Sequence, residues 1–276
     1  MSRIQEILAK AEREGTARRP QPTAVPAPPP VAPPTAVSLA TAPASSTHQF
    51  DGTAALAPAV EEVRTVTATL HPALVAALNP HSDAAEQYRS VRTRLAQHEG
   101  HAPMRTIAVT SPGEGDGKSV TAANLALTMA QEIQTTVVLV DTELRTPAAH
   151  ALLGVAGTPG LAEVLSGEAT LDEALLYLPE LRLTLLPAGA TPQFPTELLG
   201  SNAMRRTLDT LRSRFDRIVL DVPAVAPLAD AGTVGPLADG VLMVVRAGVT
   251  KRPALDQALG AFPDGHVVGV ILNESR

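Results

Sequence analysis

From Arg105 onward, short apolar runs rich in Val, Ile and Leu alternate with segments whose apolar residues recur at helical spacing. Runs bounded by turn residues predict strands, and the longer amphipathic segments predict helices. The predicted strands are RTIAVTS, TTVVLVD, LRLTLLPAG, RIVLDVP, GVLMVVRAG and HVVGVILN. The predicted helices include KSVTAANLALTMAQ, SNAMRRTLDTLRSRF and KRPALDQALGAF, while the stretch containing GLAEVLSG and LDEALLYL is mixed. This alternation predicts a doubly wound α/β domain, with a mostly parallel sheet covered by helices on both faces.

The pattern changes toward the N-terminus, where Pro, Ala, Ser and Thr dominate residues 20–60. Such a composition buries too little apolar area to offset ordering entropy, so we expect a disordered tether. Before it, Ile4, Ile7, Leu8 and Ala11 share one face of a short helix. We therefore divide the chain into an amphipathic helix (1–15), a Pro/Ala-rich linker (16–64) and an α/β domain (65–276). The helix is either a frayed terminus or a docking element for a partner.

Composition limits the classes of partner. Aromatic residues make up 2% of the chain and the net charge is −6. Both values argue against a nucleic-acid partner, which needs stacking side chains and clustered cations. The chain has no cysteine, which fits a reducing compartment. No apolar run is long enough to span a bilayer, so we expect a cytoplasmic protein without direct membrane insertion.

The stretch SPGEGDGKS joins a predicted strand to a predicted helix. It ends as a phosphate-binding loop should, with Gly117, Lys118 and Ser119, but carries Pro112 where the pattern has its first glycine. Glycines let the backbone N–H groups approach phosphates, and a lysine adds a mobile charge. The loop predicts a P-loop NTPase fold with a nucleotide site formed by Gly113, Glu114, Gly115, Asp116, Gly117, Lys118, Ser119 and Val120.

The two acids of this loop need a separate account. Glu114 and Asp116 would repel a triphosphate if they pointed inward. We therefore expect both side chains to face solvent and only the backbone of that part of the loop to meet the ligand.

Two further carboxylates end predicted strands: Asp141 follows TTVVLV, and Asp221 follows RIVL. Because ligands of parallel α/β sheets bind outside the carboxyl ends of the strands, we expect both to converge with Lys118 and Ser119. Mg·ATP chemistry needs such a group. Ser119, Asp141 and Asp221 are the candidate Mg²⁺ ligands, and Lys118, Asp141 and Asp221 are the candidate catalytic residues. The alternative is that each acid is only a turn former at a strand end.

These motifs together resemble the bacterial tyrosine kinases of exopolysaccharide and capsule synthesis, within the wider class of partitioning and division-site ATPases. The resemblance runs from about residue 81 to residue 273. It includes SDAAEQYRSVRTRL as a helix before the loop, SPGEGDGKSVTAANLA as Walker A, VVLVDTELR as Walker A′, LLPAGATPQFPTELL and IVLDVPAV as Walker B. Partitioning ATPases usually carry a lysine where Gly113 stands, so the kinase branch is favoured.

The resemblance implies further roles. Glu86, Arg89 and Arg92 reproduce the E-x-x-R-x-x-R pattern that joins subunits of the family into rings, which implies a homo-oligomer; on spacing alone they are an ordinary solvated stripe. Glu143 stands where the family's second Walker A′ acid is usually Asp. Arg145 matches that motif's arginine and could contact phosphate or a neighbouring acid. Asn273 lies near where the family holds the base, or is a turn residue.

The family also carries a C-terminal tyrosine cluster, whereas this sequence reads ILNESR after its last predicted strand and contains only Tyr88 and Tyr177. The resemblance implies a tyrosine kinase that uses ATP and Mg²⁺. The alternative is a nucleotide-switched regulatory ATPase with little or no kinase activity. In either case it implies a membrane chain-length determinant, a polysaccharide co-polymerase, as the partner that recruits the chain to the inner face of the plasma membrane.

Overall fold

The computed structural model of the protein describes residues 63–98, 104–227, 229–263 and 265–274. The predicted N-terminal helix, and the predicted linker up to residue 62, lie outside these residues.

Helices and strands alternate through the described chain. The strands are β1 (Arg64–Thr65), β2 (Thr106–Thr110), β3 (Val137–Asp141), β4 (Leu176–Leu178), β5 (Leu183–Leu186), β6 (Arg217–Asp221), β7 (Gly240–Arg246) and β8 (Val267–Asn273). The helices are α1 (Val75–Leu78), α2 (Asp83–His98), α3 (Lys118–Ala130), α4 (Ala149–Leu153), α5 (Leu161–Ser166), α6 (Leu171–Ala174), α7 (Pro195–Leu199), α8 (Asn202–Arg214), α9 (Asp230–Val234) and α10 (Arg252–Leu259), with short 3-10 turns at Pro179–Leu181 and Gly235–Leu237.

The strands form one sheet in the order β1-β4-β5-β3-β6-β2-β7-β8. Every neighbouring pair is parallel except β4 and β5, which are antiparallel. The sheet therefore confirms the predicted mostly parallel α/β architecture. It places the carboxyl ends of β2, β3 and β6 side by side, where a ligand of such a sheet binds.

Alternation along the strands produces two apolar cores, one on each face of the sheet. In β3, Val138 and Val140 belong to the core that contains Leu161, Leu208 and other residues of α5 to α10. Val137 and Leu139 belong to the opposite core, with α1, α2, α3 and α4. Successive strand side chains point to opposite faces, so a strand buried on both faces reads as a continuous apolar run.

Two strands were not predicted. β1 is a polar two-residue strand, and β4 is only LYL, directly after α6. Leu171, Leu175 and Leu178 recur at helical spacing, which hid the change of structure between α6 and β4. β4 turns back through Pro179 and pairs with β5, and it is the partner on which β1 forms.

Candidate functional site

The phosphate-binding loop leaves β2 at Thr110 and enters α3 at Lys118. Gly117 caps this helix with φ 96°, in the left-handed region that favours glycine. A Cβ atom at Gly117 would also collide with the side-chain amide of Asn273. Glycine is thus required here by both the backbone conformation and the neighbouring strand end.

Pro112, at the position of the missing glycine, is part of a rigid start to the loop. Its carbonyl accepts a hydrogen bond from the backbone N–H of Ala226 at 3.2 Å, and the Ser111 carbonyl accepts one from Val225 at 2.9 Å. The Thr110 hydroxyl donates to the Pro223 carbonyl at 2.6 Å. The segment after β6 therefore holds the loop in place, and none of these contacts needs a glycine at residue 112.

The expectation that both loop acids face solvent is right for Glu114 and wrong for Asp116. Glu114 is exposed, whereas Asp116 is 4% exposed. Asp116 finds hydrogen-bond donors on its own loop and on Thr250, which lies 134 residues away in the sequence. A buried carboxylate is tolerated when such donors satisfy it. Neither donor can be recognised from the sequence around Asp116.

Lys118 is directed at the acids that follow β3. Its Nζ lies 3.3 Å from Glu143 Oε2, and the two side chains are 12% and 5% exposed. Burial raises the pKa of both Asp141 and Asp221, and the charge of Lys118 opposes this rise. Lys118 therefore supplies a positive charge next to three carboxylates.

Asp141 and Asp221 lie opposite each other on neighbouring parallel strands, but their carboxylates have different partners. Asp141 Oδ1 accepts from the Glu143 N–H at 3.0 Å, and Oδ2 accepts from the Ala149 N–H at 3.1 Å. Among the described residues, neither oxygen of Asp221 has a hydrogen-bond partner, although both oxygens are buried.

Burial raises the pKa of both carboxyl groups. The pKa of Asp141 rises to about 8, first through burial and then through the charge of Asp221, while the N–H groups of Ala149 and Glu143 oppose the rise. Burial raises the pKa of Asp221 to about 6, against the opposing charge of Lys118 and the nearby hydroxyl of Ser119. The Ser119 hydroxyl is close enough to Asp221 to oppose the rise of this pKa, but its geometry does not meet the criteria for a hydrogen bond.

The residues present fit a magnesium ion. Mg²⁺ prefers oxygen ligands, and in nucleotide sites it uses one or two protein side chains together with phosphates and water. Asp221 offers two buried oxygens without partners, and the hydroxyl of Ser119 lies beside it. In the described parts of the chain no cluster of three His, Cys, Asp or Glu side chains is found, and a nucleotide-associated Mg²⁺ does not need one.

The network around Arg145 could be predicted from the sequence only in part. Its Nε donates to Asp230 Oδ2 at 2.9 Å and its Nη2 to Thr196 Oγ1 at 3.1 Å. The Thr196 hydroxyl in turn donates to the buried Asp230. Of the two contacts expected for Arg145, the structure shows the acid, and the network joins the segments after β3, β5 and β6 at the carboxyl edge of the sheet.

The predicted assembly residues lie on α2, where the arginines contact their own chain. Arg89 pairs with Glu86 at 2.8 Å and donates to the Pro80 carbonyl at 2.6 Å. Arg92 donates to the Thr128 carbonyl near the end of α3 at 2.7 Å and pairs with Glu132 at 3.1 Å. Glu86 is exposed, so it is the member of the stripe that is most open to a second subunit.

A cavity of about 870 Å³ opens beside the start of α3, lined by Val120, Tyr88 and Asn273 among others. Its other walls come from the segment before α1, from α2 and from the end of β8. Val120 therefore contributes to a surface next to the phosphate loop.

No helix in the described residues has the length and apolarity needed to cross a membrane.

Comparison with known proteins gives consistent relatives. The chain is 33% identical over 205 residues to the tyrosine-protein kinase YwqD of Bacillus subtilis (strain 168), a match covering 74% of this chain and 86% of the relative. It is 35% identical over 201 residues to the succinoglycan biosynthesis transport protein ExoP of Rhizobium meliloti, covering 71% of this chain and 25% of ExoP. The crystal structure of the chimerical protein CapA2B2 superposes with a TM-score of 0.70 at 25% identity, over 78% of this chain and 95% of that one. No protein-family model matches the chain.

Proposed function

The chain belongs to the bacterial tyrosine-protein kinase family, and from that premise we propose that it binds Mg·ATP at the loop around Lys118. We infer that it transfers the γ-phosphoryl group to tyrosine side chains of other proteins. The observation that carries this proposal is the state of Asp221. Its carboxylate is buried beside Lys118 and Ser119, and it has no hydrogen-bond partner among the described residues. A buried carboxylate without a partner destabilises the folded protein, and a bound cation would remove this cost.

In this mechanism the loop N–H groups and Lys118 bind the phosphates. Ser119 and Asp221 would hold Mg²⁺, which supplies charge neutralisation on the transferring phosphoryl group when bound. Lys118 must exchange its present partner, Glu143, for the phosphates. Glu143, at the position where the family usually carries Asp, then loses its lysine partner.

Asp141 is the candidate general base, which accepts the proton of the attacking tyrosine hydroxyl. Its raised pKa of about 8 lies close to neutral pH, where a general base combines proton affinity with a populated deprotonated form. Its two backbone hydrogen bonds fix the carboxylate between β3 and α4. Asp141 is therefore positioned by the fold, while Asp221 is left free for the ligand.

The acceptor tyrosine is proposed to lie on another protein. The sequence contains two tyrosines, and Tyr88 and Tyr177 are each half-buried, on α2 and β4. Burial raises the pKa of the Tyr88 hydroxyl, against side-chain hydrogen bonds from Thr121 and Asn124. Both tyrosines thus pack within the domain. This same observation favours the second candidate, a regulatory ATPase that is switched by nucleotide and phosphorylates little or nothing.

We also propose a membrane polysaccharide co-polymerase as the partner that recruits the chain to the inner face of the plasma membrane. Support comes from ExoP, named as a succinoglycan transport protein, in which the matched region is a quarter of the length. Glu86, Arg89 and Arg92 remain the proposed assembly stripe of a homo-oligomer.

The deciding experiment uses γ-labelled ATP with the purified full chain and a tyrosine-containing polypeptide as acceptor, with and without the cytoplasmic tail of its cognate co-polymerase. A kinase transfers label to protein tyrosine, and the Lys118→Ala variant loses that signal. Release of labelled phosphate without protein labelling, with the tail present, would favour the regulatory ATPase. We expect the tail to raise the activity; full activity that the tail does not change would indicate an enzyme that works without this partner.

A further inference from the structure

Asp116 is a buried acid in the phosphate loop whose role the nucleotide chemistry does not explain. It lies between Gly115 and Gly117 and is 4% exposed. A negative charge so close to bound phosphates would oppose binding by simple electrostatics. Its retention inside the protein therefore points to a positional role.

The contacts of Asp116 run both across the loop and out of it. Its Oδ2 accepts from the Gly113 N–H at 3.2 Å, which closes the loop on itself. Its Oδ1 accepts from the Thr250 hydroxyl at 2.8 Å, and its backbone carbonyl accepts from the Asn273 side-chain amide at 2.9 Å. Three separate atoms of one residue are thus held by donors from three parts of the chain.

The two distant donors are themselves fixed. The Thr250 hydroxyl accepts from the Arg246 N–H at 2.8 Å, and the Thr250 N–H donates to the Arg246 carbonyl at 3.0 Å, forming a tight turn after β7. Asn273 ends β8, and its carbonyl accepts from the Ala247 N–H at 2.9 Å. The ends of β7 and β8 therefore form one unit that grips the loop.

We propose that Asp116, Thr250 and Asn273 form a clasp that sets the shape of the phosphate loop and thereby its affinity for nucleotide, with Asp116 as a positioning residue. The inference rests on the proposed nucleotide site at Lys118. The glycines at residues 113, 115 and 117 each lose more conformational entropy on ordering than any other residue type would. Holding it in shape before the ligand arrives reduces the cost of binding.

The clasp also links nucleotide binding to the turn 246–250. If the shaped loop binds phosphate better, bound nucleotide must stabilise the clasp to the same extent, because coupling between two sites is reciprocal. The turn and the end of β8 should then become more protected from hydrogen exchange when Mg·ADP binds.

The test compares three single substitutions by calorimetry with Mg·ADP. Thr250→Val keeps the shape of the side chain but removes the hydroxyl, and it should weaken binding about tenfold. Thr250→Ser restores the hydroxyl and should bind as the parent does. Thr210→Val is the matched control, since the Thr210 hydroxyl bonds only to the Arg206 carbonyl within α8 among the contacts described. In turnover assays the Thr250→Val defect should fall on KM for ATP and spare kcat.

Asp116→Ala separates positioning from electrostatics. Loss of a negative charge alone would tighten nucleotide binding, whereas loss of the clasp weakens it, so weaker binding supports the proposal and tighter binding overturns it. This variant also serves if Thr250→Val does not fold. Unchanged affinity of Thr250→Val, or equal weakening by Thr250→Ser, would likewise overturn the clasp. If Lys118→Ala also leaves the affinity unchanged, the nucleotide site itself is wrong; if Lys118→Ala weakens binding, only the clasp is wrong.

Discussion

Asp141 and Asp221 face each other across β3 and β6 with opposite hydrogen-bonding states. Asp141 uses each oxygen to accept a backbone N–H, while Asp221 uses neither oxygen within the described residues. The two acids came from the same sequence pattern, a carboxylate at the end of an apolar strand. The structure separates them into one that holds the fold and one that the fold leaves for a ligand.

Alanine substitution should therefore affect the stability of the two variants differently. Asp141→Ala leaves the buried N–H groups of Glu143 and Ala149 without acceptors and should lower the unfolding free energy by about 2 kcal/mol or more. Asp221→Ala removes a buried carboxyl group without breaking a hydrogen bond within the described residues, so it should leave the stability of the ligand-free protein unchanged or raised. Urea unfolding of both variants near pH 4, without Mg²⁺ or nucleotide, gives the comparison, because the raised pKa values keep both carboxyl groups protonated in the folded chain at that pH. Equal losses for the two variants would contradict the assignment.

The pH dependence should show the cost of Asp221. Its pKa is about 6 in the folded chain, against an ordinary value of 3.8, so between these pH values the folded state binds more protons than the unfolded state. Stability contributed by this group therefore falls as pH rises from about 4 to about 6 and then stays constant. The difference in unfolding free energy between Asp221→Ala and the parent should grow in favour of the variant over that window, by on the order of 3 kcal/mol.

The other acids are common to both proteins, but the charge of Asp221 also raises the pKa of Asp141, so the difference reports Asp221 together with its effect on Asp141. The measurement is urea unfolding at intervals from pH 4 to 8 with a chelator present. A difference that stays constant with pH would show that Asp221 keeps an ordinary pKa in the folded protein.

The ion pair between Lys118 and Glu143 leads to a prediction about affinity. Lys118→Ala should weaken Mg·ATP binding at least about tenfold, or about 1.4 kcal/mol, because a point charge on the phosphates is lost. Glu143→Gln frees Lys118 from its carboxylate partner at 3.3 Å and should leave ATP affinity equal or tighter. Calorimetry on folded protein measures both. If Glu143→Gln weakened ATP binding as much as Lys118→Ala, Glu143 would be a direct ligand-site residue and not a competitor for the lysine.

The stripe on α2 should divide into an assembly residue and a structural one. Glu86 is exposed, with its side chain 66% accessible, so Glu86→Ala should reduce any oligomer without lowering the melting temperature. Arg92→Ala loses a charged hydrogen bond to the Thr128 carbonyl and the pair with Glu132. Arg92→Ala should therefore lower the unfolding free energy by about 1–2 kcal/mol, in addition to any effect on assembly.

Light scattering and thermal melts of the same samples distinguish these effects. The exposed pair Arg212–Asp209 on α8 provides a control, since Asp209→Ala should change neither mass nor melting temperature. An unchanged mass for Glu86→Ala, in a parent that does assemble, would return the stripe to an ordinary charged helix face.

What the sequence could predict depended on the range of the interactions. The phosphate loop was predictable because its strand, glycines, lysine and helix are contiguous. The sheet was predictable because strands buried on both faces are apolar throughout. β4 was not predictable, because Leu171, Leu175 and Leu178 continue the helical spacing of α6 into the strand.

The residues of the candidate site could be named from the sequence, but the hydrogen-bond partners of their side chains could not. Lys118, Ser119, Asp141 and Asp221 could be named because each lies at an element boundary with a known geometry. The burial of Asp116 depends on Thr250 and Asn273, which lie 134 and 157 residues away. The different states of Asp141 and Asp221 depend on where the backbone after β3 folds back, and no local pattern encodes that.

Helix α3 carries a consequence for how this domain can diversify. All of its residues from Thr121 to Ala130 are buried, so almost any change of volume there disturbs packing. The segments that follow β3 and β6 contact Lys118 and the start of the phosphate loop, so they are constrained as well. The loop that follows β5 includes exposed positions such as Phe194, and side chains there can change without disturbing that helix. Variation between related domains should therefore concentrate in the loop after β5, while α3 keeps its size and its content of small residues.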